Sequence, residues 1–299
     1  MNLSTAKAFK RIKNNDNLFS LSEEDFTLLH KSLSEMLKDF DEVCKKYDIK
    51  YFLCGGSMLG AIRNNHIIPW DDDIDIFVTR EDYERFNDIF KTELASKYWN
   101  QIPGITKDFS VMAGKLRKKG TIFLAREDAS EEEAGIWIDI FILENTYDNA
   151  VLRFVHGFLC MASGFLLSCR SFSCQKDILL SIADGDKHLT RIFKTKIFIG
   201  KLLSFLSVDK WASFTNKVYS MCKNKNSLYV VCPGGVKHFT GELYKRNPFC
   251  ERKQIEFENI QTYISADYDG YLKNLYGDDY MIPHNEDERE IHVVRKFKI

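Results

Sequence analysis

The chain has 299 residues, of which 44% are hydrophobic and 28% charged, and its net charge is -1. That is the composition of a folded globular protein. With no overall positive field to draw in a polyanion, no nucleic-acid partner is expected. The length suits one large domain, or a core with a sizeable insertion. The near-neutral balance hides a split: residues 151–225 carry a net +8, so the remainder carries -9. The eight cysteines include no C-x-x-C pair and no Cys/His set with zinc spacing, and several sit in apolar runs. Reduced thiols and a cytoplasmic protein are expected. Met1–Asn17 is polar, without the apolar core of a signal peptide. No stretch reaches the ~18 uninterrupted apolar residues of a clean transmembrane helix, so none is expected.

In chain order, Ser22-Glu23-Glu24-Asp25 resembles a capping box and opens an amphipathic helix running to about Tyr47. Tyr51-Phe52-Leu53 is a short strand leading into a flexible loop, Gly55-Gly56-Ser57, whose backbone N–H groups suit a phosphate. Met58–Asn64 follows as a short helix. Arg63 near its end is either a helix C-terminal charge or a phosphate ligand.

Then come four carboxylates within five positions, Asp71, Asp72, Asp73 and Asp75, running into the β-prone segment Ile74–Val78. On a strand, Asp71, Asp73 and Asp75 would share one face, with Ile74 and Ile76 on the other. Carboxylates gathered this way repel one another, and a hard divalent cation resolves the conflict.

A charged helix over Arg80–Lys97 follows. Val111–Arg117 and Thr121–Ala125 read as a hairpin around Lys118-Lys119-Gly120. Lys115 and Arg117 fall on one face of its first strand, as exposed sheet charges or as holders of an anionic donor. The acidic run 127–133 reads as a solvated loop. Gly135–Leu143 is apolar at both parities, which predicts a central strand buried on both faces. Asp139 in its middle needs a partner, because an unpaired buried carboxylate is costly. A cation shared with Asp73 and Asp75 meets that need, with Asp71 as a further candidate ligand; a buried salt bridge or a protonated acid is the alternative.

Residues 151–169 are largely apolar, and 187–226 mix basic with apolar residues in helical spacing. These read as basic amphipathic helices, either with a solvated face or meeting anionic lipid. From Leu228 the chain turns β-like, Asp267–Tyr276 is helical, and the tail from His284 is charged.

A glycine-serine turn, an Asp-x-Asp strand and a later strand aspartate, in that order, point to a nucleotidyltransferase-like fold. The expected fold class is α/β: a mixed sheet flanked by helices, with core residues 1–146 and 228–299 interrupted by a helical insertion at 147–227. Tyr51–Arg63, Ile68–Ile76, Arg80–Tyr83, Lys115–Thr121, Ile138–Phe141 and Tyr268–Pro283 together resemble the signature of the LicD phosphotransferases, relatives of fukutin and fukutin-related protein. The sequence departs from that pattern in carrying Ser57 where Thr is frequent, and Asn64-Asn65 in place of a more usual His-Lys.

The resemblance implies an enzyme that moves a phospho-alcohol, typically phosphocholine from CDP-choline, onto a cell-surface glycan or its lipid-linked precursor, such as lipopolysaccharide or teichoic acid. It implies Mg²⁺ or Mn²⁺ held by Asp73, Asp75 and Asp139, with Gly56 and Ser57 facing the donor phosphates. CDP-ribitol or CDP-glycerol is the alternative donor, and a glycan-binding protein without catalysis is the alternative class. A choline site calls for an aromatic cage, with Trp70, Trp137, Tyr268 and Tyr271 as candidates. Location is expected to be cytoplasmic, with peripheral contact at the inner face of the membrane if the basic helices meet lipid.

Overall fold

A computed structural model describes residues 21–125, 128, 130–183, 186–283 and 294–299. Met1–Asn17, part of the acidic run 127–133, and the tail over 284–293 therefore lie outside the described residues. Helix α1 (Glu23–Lys46) starts where the sequence marks it. Ser22 accepts from the Asp25 N–H, while Asp25 accepts from the Ser22 backbone, a reciprocal capping box. Its apolar stripe, including Leu29, Leu33, Met36, Leu37 and Phe40, is buried against the sheet.

The main sheet runs β1-β2-β6-β4-β3, where β1 is Tyr51–Leu53, β2 Ile74–Thr79, β3 Tyr98–Gln101, β4 Gly114–Lys118 and β6 Trp137–Asn145. Its β2–β6 pair is parallel and the others in that run are antiparallel, which makes the sheet mixed. Helix α2 (Gly55–Asn64) joins β1 to the turn before β2, and α3 (Arg80–Glu93) follows β2 directly. The residues at 55–57 are not a free loop: they form the first turn of α2, because Cys54 already has N-cap backbone geometry.

β6 is the expected central strand, with apolar residues buried on both faces, Ile138 and Ile140 among them. The hairpin expected between β4 and β5 (Ile122–Ala125) does not form. Both edges of β4 are taken, by β3 and β6, so β5 pairs instead with β11 (Val294–Lys298). Asp128 of the acidic run is not in a solvated loop either, for it meets the Arg117 guanidinium at 2.6 Å.

After β6 the chain leaves the sheet as four helices: α4 (Ala150–Cys174), α5 (Lys176–Ile182), α6 (Lys187–Leu202) and α7 (Val208–Tyr219). It then returns to the same sheet. β7 (Tyr229–Val231) pairs with the end of β6, and β8 (Leu243–Lys245) pairs with β7. β9 (Arg252–Phe257) and β10 (Ile260–Ser265) make a separate hairpin, and helix α8 (Tyr268–Tyr276) packs near α2. The helical segment has its own apolar cluster around Phe172, Leu179, Ile192 and Phe193.

That segment is also pinned to the sheet domain. His156 on α4 bonds Thr146 Oγ1 at 3.0 Å and the carbonyls of Val218 and Tyr219. Burial holds its imidazole below the usual pKa, hence neutral.

Arg80 at the start of α3 forks onto the buried Glu144 of β6, with Nε donating to Oε2 at 3.0 Å and Nη2 to Oε1, and the same Nη2 reaches Asn216 Oδ1 of α7 at 3.0 Å. One ion pair thus joins a helix, the central strand and the insertion. Arg80→Ala strips Glu144 of its partner while leaving it buried. Stability is expected to fall by about 3–5 kcal/mol, read as a lower denaturant midpoint.

Candidate active site

The site is built around the start of α2. Cys54, the N-cap, donates its N–H to the Asp75 carbonyl at 3.0 Å, and the Asp75 N–H donates to Ser57 Oγ at 2.9 Å. The backbone of Asp75 is thereby held from both sides. Gly55 donates its N–H to Tyr271 Oη at 2.9 Å and has φ +51°, a region that favours glycine. A Cβ on Gly55 would lie 2.4 Å from Asp75 Oδ2, and one on Gly56 2.4 Å from Asp71 Oδ2. Only glycine lets the helix start this close to two carboxylates.

The parallel register of β2 and β6 places Asp75 opposite Asp139, and the antiparallel register of β4 places Lys115 opposite Asp139 on its other side. Asp73 sits one residue before β2. Asp73, Asp75 and Asp139 can each bring a carboxylate oxygen within 4.8 Å of the others, and a second group, Asp71, Asp72 and Asp73, does the same. The three carboxylates expected to converge do so. Asp71 adjoins them through Asp73 rather than by sharing a strand face, because it lies in the turn closed by its own N–H to the Ile68 carbonyl.

Asp139 is anchored on one side only. Its Oδ2 accepts from Trp137 Nε1 at 3.0 Å and from Lys115 Nζ at 3.3 Å. Its Oδ1 is buried and accepts no hydrogen bond among the described residues, though Lys115 Nζ lies 3.3 Å away. Lys115 itself is 2% exposed and sits 3.9 Å above the Trp137 ring. Among the described residues the Lys115 ammonium lies beside Asp139, and a buried carboxylate oxygen that accepts no hydrogen bond suits coordination to a hard cation. The donor set, all oxygen and all anionic, fits Mg²⁺ or Mn²⁺.

Comparison with known proteins bears on this arrangement. The family LicD/FKTN/FKRP, nucleotidyltransferase domain, matches residues 48–156, the span that contains all of these carboxylates. Residues 48–156 are a LicD-family domain. Beyond it, the lipopolysaccharide cholinephosphotransferase LicD of Haemophilus influenzae is 26% identical over 265 residues, 86% of this chain and 92% of that protein. Human ribitol 5-phosphate transferase FKRP is 40% identical over 52 residues, 17% of this chain and 10% of that protein. An uncharacterized protein of Rickettsia typhi is 45% identical over 58 residues, 19% of each.

Two basic residues of the LicD domain that were expected at the donor are engaged elsewhere. Arg117 is fully buried, and its fork goes to Gln101 at 2.8 Å, the Gly135 carbonyl at 3.1 Å and Asp128 at 2.6 Å. It braces the sheet and leaves the donor set. Arg63 donates to the Tyr280 carbonyl and, at 3.0 Å, to that of Ile282, so it straps the C-terminal segment to the end of α2. Trp137 is an unsuitable cage wall, because Lys115 already covers its face. Tyr271 is buried and its hydroxyl is committed to Gly55. Trp70 and Tyr268 remain half-buried.

Sequence reading missed Glu242. It is a lone acid in Gly-Glu-Leu-Tyr with no motif around it. It is 2% exposed, accepts from the Lys237 N–H at 2.9 Å, and would meet a Cβ on Gly235 at 2.2 Å. Burial pushes its carboxyl up to about 7, and the Lys237 hydrogen bond opposes that rise only in part.

Two outcomes are expected here. Gly55→Ala should cost at least about 1 kcal/mol through left-handed strain alone, and it should lower activity as well by displacing Asp75; denaturation and transfer assays read the two effects. Glu242 binds its proton more tightly when folded, so the stability it contributes is complete below pH 4.5 and is lost as pH rises through about 7. Glu242→Gln, which keeps the acceptor for Lys237, should flatten the dependence of the denaturant midpoint on pH across that window. An unchanged slope would mean the native carboxyl titrates normally.

Proposed function

We propose that this chain is a metal-dependent phosphotransferase that moves phosphocholine, or a closely similar phospho-alcohol, from a CDP-activated donor to a cell-surface glycan or its lipid-linked precursor. The observation that carries the reading is the convergence of Asp75 and Asp139 on two adjacent strands with Asp73 just before the first, and one Asp139 oxygen that accepts no hydrogen bond among the described residues. The likeness to a lipopolysaccharide cholinephosphotransferase over most of both chains supports the reaction class and the glycan acceptor. The eight free cysteines fit action in the cytoplasm.

When bound, Mg²⁺ or Mn²⁺ supplies charge neutralisation at the donor pyrophosphate and orientation for in-line displacement. Asp73, Asp75 and Asp139 are the residues that would hold it. The chain's own part is positional. Lys115 and the Trp137 indole N–H fix Asp139 through Oδ2 and leave Oδ1 without a hydrogen-bond donor among the described residues. Asp75 is fixed through its backbone by Cys54 and Ser57. The first turn of α2 brings N–H groups and the positive end of a helix to the same place, so a donor phosphate meets it there. Gly56 contributes by absence of a side chain, and Ser57 by holding Asp75 rather than through its hydroxyl on the phosphate.

A second reading, with CDP-ribitol or CDP-glycerol as donor, is favoured by one observation. Trp137, the most deeply buried cage candidate, has its face covered by Lys115, and a polyol needs no cage.

Incubation with CDP-choline, CDP-ribitol and CDP-glycerol, with Mg²⁺, Mn²⁺ or a chelator, separates the donors by product analysis. Chelation and Asp73→Asn should each lower transfer roughly a hundredfold or more, with the variant's thermal unfolding close to that of the parent. Full activity in Asp73→Asn would remove this residue from the ligand set.

A further inference from the structure

Helix α4 is 25 residues long, and among the described residues it is the one helix long and apolar enough to cross a membrane. The small residues Gly157, Ser163 and Gly164 break the apolar runs without breaking the helix. No Asp, Glu, Lys or Arg lies between Arg153 and Arg170. One face of this stretch is packed: His156, Cys160, Ser163 and Leu167 are buried. The other face is bare, with Phe154 75% exposed, Val151 69%, Phe158 65% and Val155 47%. Positions 151, 154, 155 and 158 form a single helical stripe, so these side chains make one apolar face.

The packed face argues against a span. A Cβ on Gly157 would meet the Phe239 ring at 2.8 Å, and one on Gly164 would meet Tyr219 Oη at 2.6 Å. Thr215 of α7 donates to the Ser163 carbonyl at 3.3 Å. To cross a bilayer, α4 would have to tear away from these partners or drag them into lipid.

Helix α6 adds the charge. It packs closely along the later part of α4, where a Cβ on Gly200 would fall 2.0 Å from the Cys169 carbonyl. The Phe165 ring of α4 lies 5.9 Å from Lys196 Nζ of α6. The outward stripe of α6 carries Lys187, Arg191, Lys194 and Lys201 together with Phe198 and Leu202, both 64% exposed. Lys187, Arg191, Lys194 and Phe198 line an open groove of about 710 Å³. Basic and apolar side chains thus share one helical face, within a segment whose net charge is +8.

We infer that the exposed faces of α4 and α6 form a docking surface for an anionic lipid bilayer, on which the helices lie at the interface without spanning it. The occupant is a lipid surface and not a second copy of the chain, because the same helical segment carries a chargeless stripe on α4 and a basic stripe on α6. Two copies of the insertion would oppose like charges, whereas an anionic leaflet satisfies both stripes at once. The surface goes beyond the proposed chemistry and stands without it, while fitting an acceptor built on a lipid.

The test is co-sedimentation of the full chain with vesicles of phosphatidylcholine alone or mixed with phosphatidylglycerol. Binding is expected to the mixed vesicles, to weaken in high salt, and to be released by alkaline wash. Phe154→Asp with Phe158→Asp changes only exposed positions and should abolish binding. Lys187→Glu, Arg191→Glu and Lys194→Glu should weaken it by about fivefold for each basic residue lost, with little effect on thermal unfolding. Asp73→Asn should bind as the parent does, so a failure of the docking proposal and a failure of the proposed chemistry remain distinguishable. The inference is overturned if the parent stays in the supernatant, if the Phe variant binds equally well, if bound protein resists alkaline extraction as a spanning helix does, or if sedimentation equilibrium finds a dimer that the Phe variant dissociates.

Discussion

Mutual repulsion among carboxylates held at one end of a sheet is the constraint on which the rest of this structure depends. Asp75 and Asp139 are locked side by side by the parallel register of β2 and β6, and Asp73 adjoins them. The chain does not relieve the strain by swinging them into solvent: Asp73 and Asp139 are buried, and Asp75 is half-buried. Among the described residues, fixed dipoles and the Lys115 ammonium lie beside them. The indole N–H of Trp137 and the ammonium of Lys115 meet Asp139, and the first turn of α2 lies against Asp75 and Asp71. Under the proposed function, carboxylates held together by strand register are already gathered for a cation when the chain has folded.

The same economy explains why Arg117, expected at the donor, is engaged elsewhere, and why Arg80 is paired. A buried guanidinium needs its donors satisfied. Arg117 finds Gln101, Gly135 and Asp128, and Arg80 finds Glu144 and Asn216. These pairs make the sheet rigid beneath the carboxylates. The helical insertion is coupled to that scaffold through Arg80 and His156, yet it leaves a large apolar face uncovered. Firm attachment on one side and exposure on the other is the arrangement of an element that meets something outside the chain.

Much of the centre was legible in the one-dimensional pattern. The Asp73-x-Asp75 spacing beside Ile74 and Ile76, and Asp139 inside a run apolar at both parities, required buried strands carrying acids. Burial of such groups demands partners whatever the fold, so local pattern sufficed. The capping box at Ser22 and the motifs shared with the LicD proteins were readable for the same reason: each is a short-range feature. The β4–β5 hairpin was misread because turn chemistry tells which strands can pair, not which edges are already occupied.

What the sequence determined by itself is part of the inventory: that Asp73 and Asp139 are buried, which segments alternate, which stretch is largely apolar. Those follow from nearest-neighbour chemistry and periodicity. Tertiary structure alone decided who faces whom. It set Lys115 beside Asp139 and sent Arg117 to Asp128, although both lie on one strand at the same parity. It brought Glu242 and Tyr271 in behind α2 from far along the chain. Strand register and edge occupancy are global quantities, fixed only when distant segments compete for the same hydrogen bonds, and no window of sequence contains that competition.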